Sequence, residues 1–169
     1  MAAAGLLTEA GRVELIDGEI VEMTPIGRRH MGAVDYLNRQ LNRGCGDRAI
    51  VRVRGAIRLS RLSEPEPDLL LLEARPDFYR NADAGPEDVL LLLEVAATSL
   101  DYDRGVKIEL YDRIAIPDVW LVDLRGERVA VYRTPSPETY RDVQCRVRGE
   151  HVAPAASPEV TIPVDEIPG

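Results

Sequence analysis

The sequence predicts an α/β (α+β) fold in which helices flank a mixed central sheet. Two runs of strand length, Leu69–Leu72 and Val89–Leu93, are too apolar for half-exposed strands, so we expect both faces of each to be covered. Apolar periodicity at 28–44 and 102–116 predicts two flanking helices. The order of hairpin, helix, strands, helix and strand then favours a largely antiparallel mixed sheet.

Length and composition bound the class of protein. The 169 residues suit one domain over 1–169, with a Pro-rich tail from about residue 151. No apolar run reaches the roughly 18 residues that span a bilayer, and the start lacks a basic leader region, so we expect a cytoplasmic protein with no membrane partner. Residues 1–10 are expected to form a short helical start. Cys45 and Cys145 are too few for a disulfide scaffold and are expected to be reduced thiols.

The first predicted elements are a hairpin and a helix. Asp17-Gly18 is a strong two-residue turn between the alternating residues of 13–23, because glycine accepts a positive φ. The 28–44 helix is expected to bury one stripe and to end at Gly44 in the left-handed conformation. The stripe consists of Met31, Val34, Leu37 and Leu41. His30 lies in the first turn, where its position alone favours a surface or capping histidine.

The charge of the chain is unevenly distributed. The net charge of −8 argues against an indiscriminate nucleic-acid binder, yet residues 28–61 hold nine arginines and two acids, a local charge of +7. Two short strands are predicted at Ala49–Val53 and Ala56–Leu59. Three of these arginines, Arg52, Arg54 and Arg58, lie in or between them. Such a face can dock a polyanion, so we expect these three to contact phosphate; the alternative is a solvated face.

The rest of the chain completes the sheet. The polar loop of 14 residues at 75–88 is long for a connector, and its Tyr79 and Arg80 either clamp a nucleic acid or, for Tyr79, pack beneath the loop. Further strands are predicted at Val119–Val122, Arg128–Arg133 and Thr139–Val147. The sequence contains no repeat, no glycine-rich phosphate loop and no His/Cys metal cluster.

Two carboxylates adjoin the apolar runs. Asp68 opens the first run and Glu94 closes the second. If the runs are antiparallel neighbours, the two side chains meet at one edge of the sheet, where they repel unless a cation lies between them. The plainer alternative is a pair of solvated carboxylates at strand ends.

Lys107 is the only lysine, against twenty arginines. The helical pattern places it at the edge of a buried stripe of Val106, Leu110 and Ile114, so its stem can be covered while its amine emerges towards Glu94. Asp103 lies four residues before it, so an ordinary surface ion pair is the alternative.

Together these residues resemble the Uma2-like family of endonucleases within the PD-(D/E)XK nuclease superfamily. The resemblance covers most of the chain, including the N-terminal Glu14-Leu15-Ile16-Asp17-Gly18-Glu19, His30 and the Pro-rich end. Its central motifs are Glu66-Pro67-Asp68, Glu94-Val95, the segment from Tyr102 to Lys107, and the segment from Ile116 to Asp123. One departure is Ala96, which stands where the superfamily has a lysine; the family resemblance moves that role to Lys107.

The resemblance implies a restriction-endonuclease-like core and a Mg²⁺- or Mn²⁺-dependent DNA endonuclease that acts as a homodimer. It makes Asp68 and Glu94 metal ligands and catalytic residues, with the backbone carbonyl of Val95 as a further ligand. Lys107 then orients water and stabilises phosphate charge, and His30 contacts a phosphate. The alternative is a non-catalytic nucleic-acid- or protein-binding module that retains the fold.

Overall fold

A computed structural model describes residues 12–169, so the helical start expected at 1–10 lies outside the described residues. The predicted fold class is confirmed: a mixed six-stranded sheet is flanked by helices. Its order is β3-β4-β5-β6-β7-β8, and every neighbouring pair is antiparallel except the parallel pair β5–β6. The six strands are Ala49–Val53, Leu69–Glu73, Val89–Ala96, Asp118–Asp123, Arg128–Arg133 and Asp142–Val147.

The predicted hairpin precedes this sheet. Strands β1 (Val13–Ile16) and β2 (Glu19–Glu22) pair through a turn in which Asp17 and Gly18 have φ of 50° and 84°, as the local sequence requires. The backbone of β1 also bonds to Glu64, so the hairpin is joined to the segment that leads into β4.

Helix α1 (Arg28–Cys45) covers one face of the sheet. Val34, Leu37 and Leu41 are buried as predicted, whereas Met31 is 42% exposed, and Ala33 and Cys45 complete the buried face. The predicted end at Gly44 is wrong: Gly46 is the residue with positive φ, at 53°. Gly44 lies within α1, and Val160 packs against it so closely that a Cβ there would overlap that side chain, so the close contact accounts for glycine here.

The second helical region, at 100–113, is divided and is called the segmented helix below. It comprises a turn of α-helix α2 (Leu100–Tyr102), a π-helical turn (Asp103–Lys107) and helix α3 (Ile108–Arg113). The π-turn changes which side chains face inward, so Val106 is 39% exposed instead of buried. Asp103 and Lys107 are buried in its place.

One predicted strand is absent, and the Pro-rich tail contains short elements. The predicted strand Ala56–Leu59 is not a strand, although Ile57 and Leu59 are buried and bond to the backbone of the 63–65 segment. The tail contains the short strands β9 (His151–Val152) and β10 (Ile162–Pro163) and a 3-10 helix (Val164–Glu166). It covers the same face of the sheet as α1, while the segmented helix covers the other face.

Candidate active site

A cavity of about 460 Å³ opens where β4 begins and β5 ends. The hairpin, the 23–27 segment, the start of α1 and the segmented helix surround it. Five of the residues predicted from the sequence line this one cavity: His30, Asp68, Glu94, Val95 and Lys107. The structure therefore brings together side chains that lie up to 77 positions apart in the chain.

Asp68 and Glu94 meet because β4 and β5 are antiparallel. Leu69 pairs with Leu93, so the residues one step beyond that pair, Asp68 and Glu94, lie at the same edge of the sheet. Asp68 Oδ2 accepts a hydrogen bond from the Val95 N–H at 2.8 Å. Asp68 and Glu94 are only 7% and 3% exposed, so the alternative of solvated strand-end carboxylates is wrong.

Glu94 uses one of its oxygens for two strong contacts. Glu94 Oε1 lies 3.1 Å from the Lys107 amine and accepts a hydrogen bond from the Tyr111 hydroxyl at 2.5 Å. Both donors belong to the segmented helix, which packs against this face of β5. Within residues 12–169 no hydrogen bond reaches Glu94 Oε2, so this oxygen remains available to a further partner.

The amine of Lys107 lies among three carboxylates. It is 2.9 Å from Glu14 Oε1, 3.1 Å from Glu94 Oε1 and 3.9 Å from Asp103 Oδ1. The predicted pair with Asp103 therefore exists, but Lys107 is 4% exposed and the pair is not a surface feature. The π-turn is responsible, because it aims Asp103 and Lys107 into the protein together.

Glu14 is a site residue that the sequence reasoning missed. It is 4% exposed, and its Oε1 accepts hydrogen bonds from Lys107 and from the Glu66 N–H, the latter at 2.8 Å. A signal was present: in β1 the residues alternate between half-buried and buried, and Glu14 shares the buried face with Ile16. An acid on the inward face of a short strand indicates a partner elsewhere in the fold.

The cluster has more carboxylates than cations. Burial raises the pKa of Glu94 from its ordinary 4.5 to about 8, and the neighbouring Asp68 and Asp103 add to the rise while Lys107 opposes it. Burial acts against the charged amine of Lys107, but Glu94, Glu14 and Asp103 outweigh it and raise the pKa of Lys107. Burial also raises the pKa of Asp103. One ammonium cannot neutralise all these acids, so a carboxyl proton or an added cation is favoured here.

His30 contacts the same centre. Its Nε2 lies 3.0 Å from Asp68 Oδ1, and it reaches this position from the first turn of α1. It is therefore neither a capping histidine nor a free surface one. Its Nδ1 is buried and has no hydrogen-bond partner among the described residues.

None of Arg52, Arg54 and Arg58 lines the cavity. The guanidinium of Arg52 lies over the Tyr79 ring, 5.5 Å from its centroid, and Arg58 pairs with Glu64 at 3.2 Å. Of the three, Arg54 is joined directly to a residue of the site, because its N–H donates to the Asp68 carbonyl at 3.0 Å. Its φ of 49° is unusual for a residue other than glycine.

The 75–88 loop lies away from the cavity. It joins the end of β4 to the start of β5, whereas the cavity lies at the start of β4 and the end of β5. Tyr79 is 7% exposed and donates to the Glu73 carbonyl at 2.7 Å, so it packs beneath the loop. The alternative of a clamp formed by Tyr79 at the site is therefore wrong.

The donors at the cavity suit a hard cation that keeps some of its own waters. The described residues contain no ready group of three or more His, Cys, Asp or Glu side chains placed to hold a metal. Asp68 and Glu94 supply two carboxylates, and the hydrogen bond from the Val95 N–H to Asp68 brings the backbone of Val95 beside them. Mg²⁺ typically takes one or two carboxylates and completes its shell with water and phosphate, so this donor set fits it.

A mixed sheet with two carboxylates at adjoining strand ends and a buried lysine beside them defines a restriction-endonuclease-like protein. The chain belongs to the Uma2 family, whose model matches residues 4–165 and is described as "Putative restriction endonuclease". By family it is therefore of the nuclease class.

A solved structure supports the fold. The crystal structure of a putative nuclease belonging to DUF820 from Anabaena variabilis ATCC 29413 superposes with a TM-score of 0.75 at 14% sequence identity. The match covers 92% of this chain and 88% of the other. No curated protein matches this chain. Within residues 12–169 no helix combines the length and the apolar character needed to cross a membrane.

Proposed function

We propose that this protein is a Mg²⁺- or Mn²⁺-dependent endonuclease that hydrolyses phosphodiester bonds in DNA. Asp68, Glu94 and the Val95 carbonyl would hold the cation, and Lys107 and His30 would act beside it. The observation that supports this most directly is the meeting of Asp68 and Glu94 in one cavity, next to the buried amine of Lys107.

The charge of the cavity supports a need for metal. Five acidic residues line it, and the basic residues in its lining are Lys107 and His30; the acids are Glu14, Glu22, Asp68, Glu94 and Asp103. A polyanionic substrate cannot enter such a cavity favourably without added positive charge. A bound divalent cation would neutralise phosphate charge and lower the pKa of a bound water.

Lys107 is suited to orient and stabilise rather than to remove a proton. Its amine is surrounded by Glu14, Glu94 and Asp103, and each of these carboxylates favours the ammonium form. An ammonium has no lone pair with which to accept a proton, but it can donate hydrogen bonds to a water or a phosphate oxygen. Ala96 offers no such donor, so Lys107 takes the role that the superfamily assigns to the missing lysine.

His30 supplies a second polar contact on the other side of Asp68. Its hydrogen bond to Asp68 fixes the carboxylate orientation, as the outer partners of metal-binding carboxylates commonly do. With Nε2 donating to Asp68, Nδ1 is the unpartnered ring nitrogen among the described residues, and a ring that carries both protons could donate from Nδ1 to a phosphate oxygen, the role that the family resemblance implies.

Cleavage of supercoiled, linear and single-stranded DNA with Mg²⁺, Mn²⁺ or a chelator tests this function. We expect cutting with either ion, none with chelator, and a loss of about 10²-fold or more in Asp68→Asn. The matched control is Asp35→Asn, because Asp35 is an exposed carboxylate on α1 away from the cavity lining. Calorimetry should show Mn²⁺ binding that Asp68→Ala removes and Asp35→Asn retains.

Two outcomes would contradict the proposal. Equal Mn²⁺ binding by Asp68→Ala would refute the metal ligands. DNA binding without cleavage in any ion would instead indicate the non-catalytic module. The homodimer is a separate part of the proposal, in which each of two sites would act on one strand, and sedimentation with and without DNA tests it.

A further inference from the structure

We infer that the cavity takes an unpaired DNA strand, so that the enzyme cuts single-stranded or locally opened DNA and not intact duplex. This inference rests on the proposed nuclease function and names the substrate form of the same site. The observations behind it are the depth of the reactive groups, the size of the cavity, the chemistry of its wall and two unpartnered polar atoms.

The reactive groups lie deep in the protein. Asp68, Glu94 and Lys107 are 7%, 3% and 4% exposed, and all three line the cavity. A phosphate that reaches them enters this cavity, which the hairpin and the segmented helix line. An unpaired strand can enter such a cavity with its base as well as its phosphate, whereas the bases of a paired strand stay stacked in the duplex.

The size of the cavity matches a nucleotide. Its volume of about 460 Å³ lies within the roughly 300–1,000 Å³ typical of pockets that enclose one small molecule. Surfaces that hold duplex DNA instead follow its backbone with many basic side chains. None of the arginines in the described part of the chain lines this cavity.

One wall of the cavity suits a base. Val21, Met23, Ile26 and Val95 contribute an apolar lining beside the acidic residues, and Tyr102 adds an aromatic ring. Every base has an apolar π-face, so a wall of this kind accepts an unstacked base without reading its sequence. A phosphate alone would need no such surface.

Two buried polar atoms in the lining have no partner. They are the Tyr102 hydroxyl and His30 Nδ1, two of the three such side-chain atoms within residues 12–169. Buried polar groups are almost always hydrogen-bonded, because leaving one unpaired costs free energy. A nucleotide carries both acceptors and donors on its phosphate, sugar and base, so it has partners for a hydroxyl and for a ring nitrogen.

Three DNAs that share one labelled strand test this inference: the single strand, a duplex with a central bubble, and the fully paired duplex. With Mn²⁺ we expect the first two to be cut at least about tenfold faster than the third, because opening one base-pair step costs about that factor. Equal or faster cutting of the paired duplex would overturn the inference. If no DNA is cut, the nuclease function fails.

Binding of the same DNAs tests the inference independently of cleavage. Binding is measured with Ca²⁺, which carboxylates also hold. We expect the single strand to bind at least about tenfold more tightly than the duplex. Thr98→Trp, which fills the cavity from its exposed rim, should abolish this preference, while Thr161→Trp, at an exposed position outside the lining, should keep it.

Tyr102→Phe provides a finer test, with Tyr36→Phe as its control outside the cavity. We expect the Tyr102 variant to bind the single strand several-fold more weakly and the control to be unchanged. Tighter binding of paired duplex, or unchanged single-strand binding by both Thr98→Trp and Tyr102→Phe, would show that no strand occupies the cavity.

Discussion

Glu14 and Lys107, 93 positions apart in the chain, form a buried ion pair in which the amine lies 2.9 Å from Glu14 Oε1. This pair joins the hairpin to the segmented helix in the lining of the cavity. Because Lys107 also contacts Glu94, the hairpin and the end of β5 hold one amine between them. The position of Lys107 thus depends on a residue 93 positions earlier in the chain.

We predict that Glu14→Ala lowers the free energy of unfolding by roughly 1.5–3 kcal/mol, the range for hydrogen bonds to charged groups. The loss stays below that of an isolated buried pair, because Glu94 and Asp103 still hold the amine. Urea unfolding measures it. Asp17→Asn is the control: it removes the exposed bridge from Arg113 to the same hairpin and should change stability by less than about 1 kcal/mol. Equal losses of stability in the two variants would show that the Glu14–Lys107 pair contributes no more than an exposed ion pair.

We predict that Lys107→Met lowers cleavage by about 10²-fold or more, as expected for the loss of one catalytic group. The methionine keeps most of the buried stem but leaves three carboxylates without their cation, so stability also falls. Activity must therefore be measured well below the unfolding temperature of the variant. Lys107→Arg should keep the positive charge but recover little cleavage, because the planar guanidinium of arginine differs in shape from the ammonium of lysine.

Arg104→Met is the matched control for Lys107→Met. Arg104 lies on the same π-turn but is exposed, so its loss should leave cleavage unchanged. An unimpaired Lys107→Met enzyme would show that the amine is only a structural partner of the carboxylates.

Tyr36 gives a prediction for alkaline pH. Its hydroxyl donates to Glu166 Oε2 at 2.8 Å, and burial together with the Glu166 charge raises the pKa of Tyr36 from 10.0 to about 12. Since the folded-state pKa exceeds the unfolded one, the stabilisation is present below about pH 10 and is lost as pH rises through about 12. The difference in unfolding free energy between wild type and Tyr36→Phe should therefore shrink between pH 9 and 12. A constant difference would contradict the assignment.

The sequence could predict features that depend on local chemistry. Asp17-Gly18 specifies its turn through the positive φ that it accepts, and the apolar runs specify the central strands. Asp68 and Glu94 could be placed together because a single assumption, that the two runs are antiparallel neighbours, determines their register.

Features set by tertiary contacts could not be predicted. Gly44 makes room for Val160, more than a hundred positions later, instead of ending the helix. The burial of Lys107 depends on a π-turn, which no helical period reveals. Glu14 was missed because its partner is 93 residues away, although its inward position in β1 was a signal.

The structure separates the three arginines that the sequence grouped as phosphate contacts. Arg54 is bonded through its backbone to Asp68, and its buried Nε has no partner among the described residues, whereas Arg52 stacks on Tyr79 and Arg58 pairs with Glu64. We predict that Arg54→Ala alone weakens DNA binding. The slope of log affinity against log salt should become shallower by about 0.7 on single strands or 0.9 on duplex, the value for one lost phosphate contact. Arg58→Ala is the control and should leave affinity and slope unchanged. If a variant that combines Arg52→Ala, Arg54→Ala and Arg58→Ala also binds like wild type, these arginines are only a solvated face.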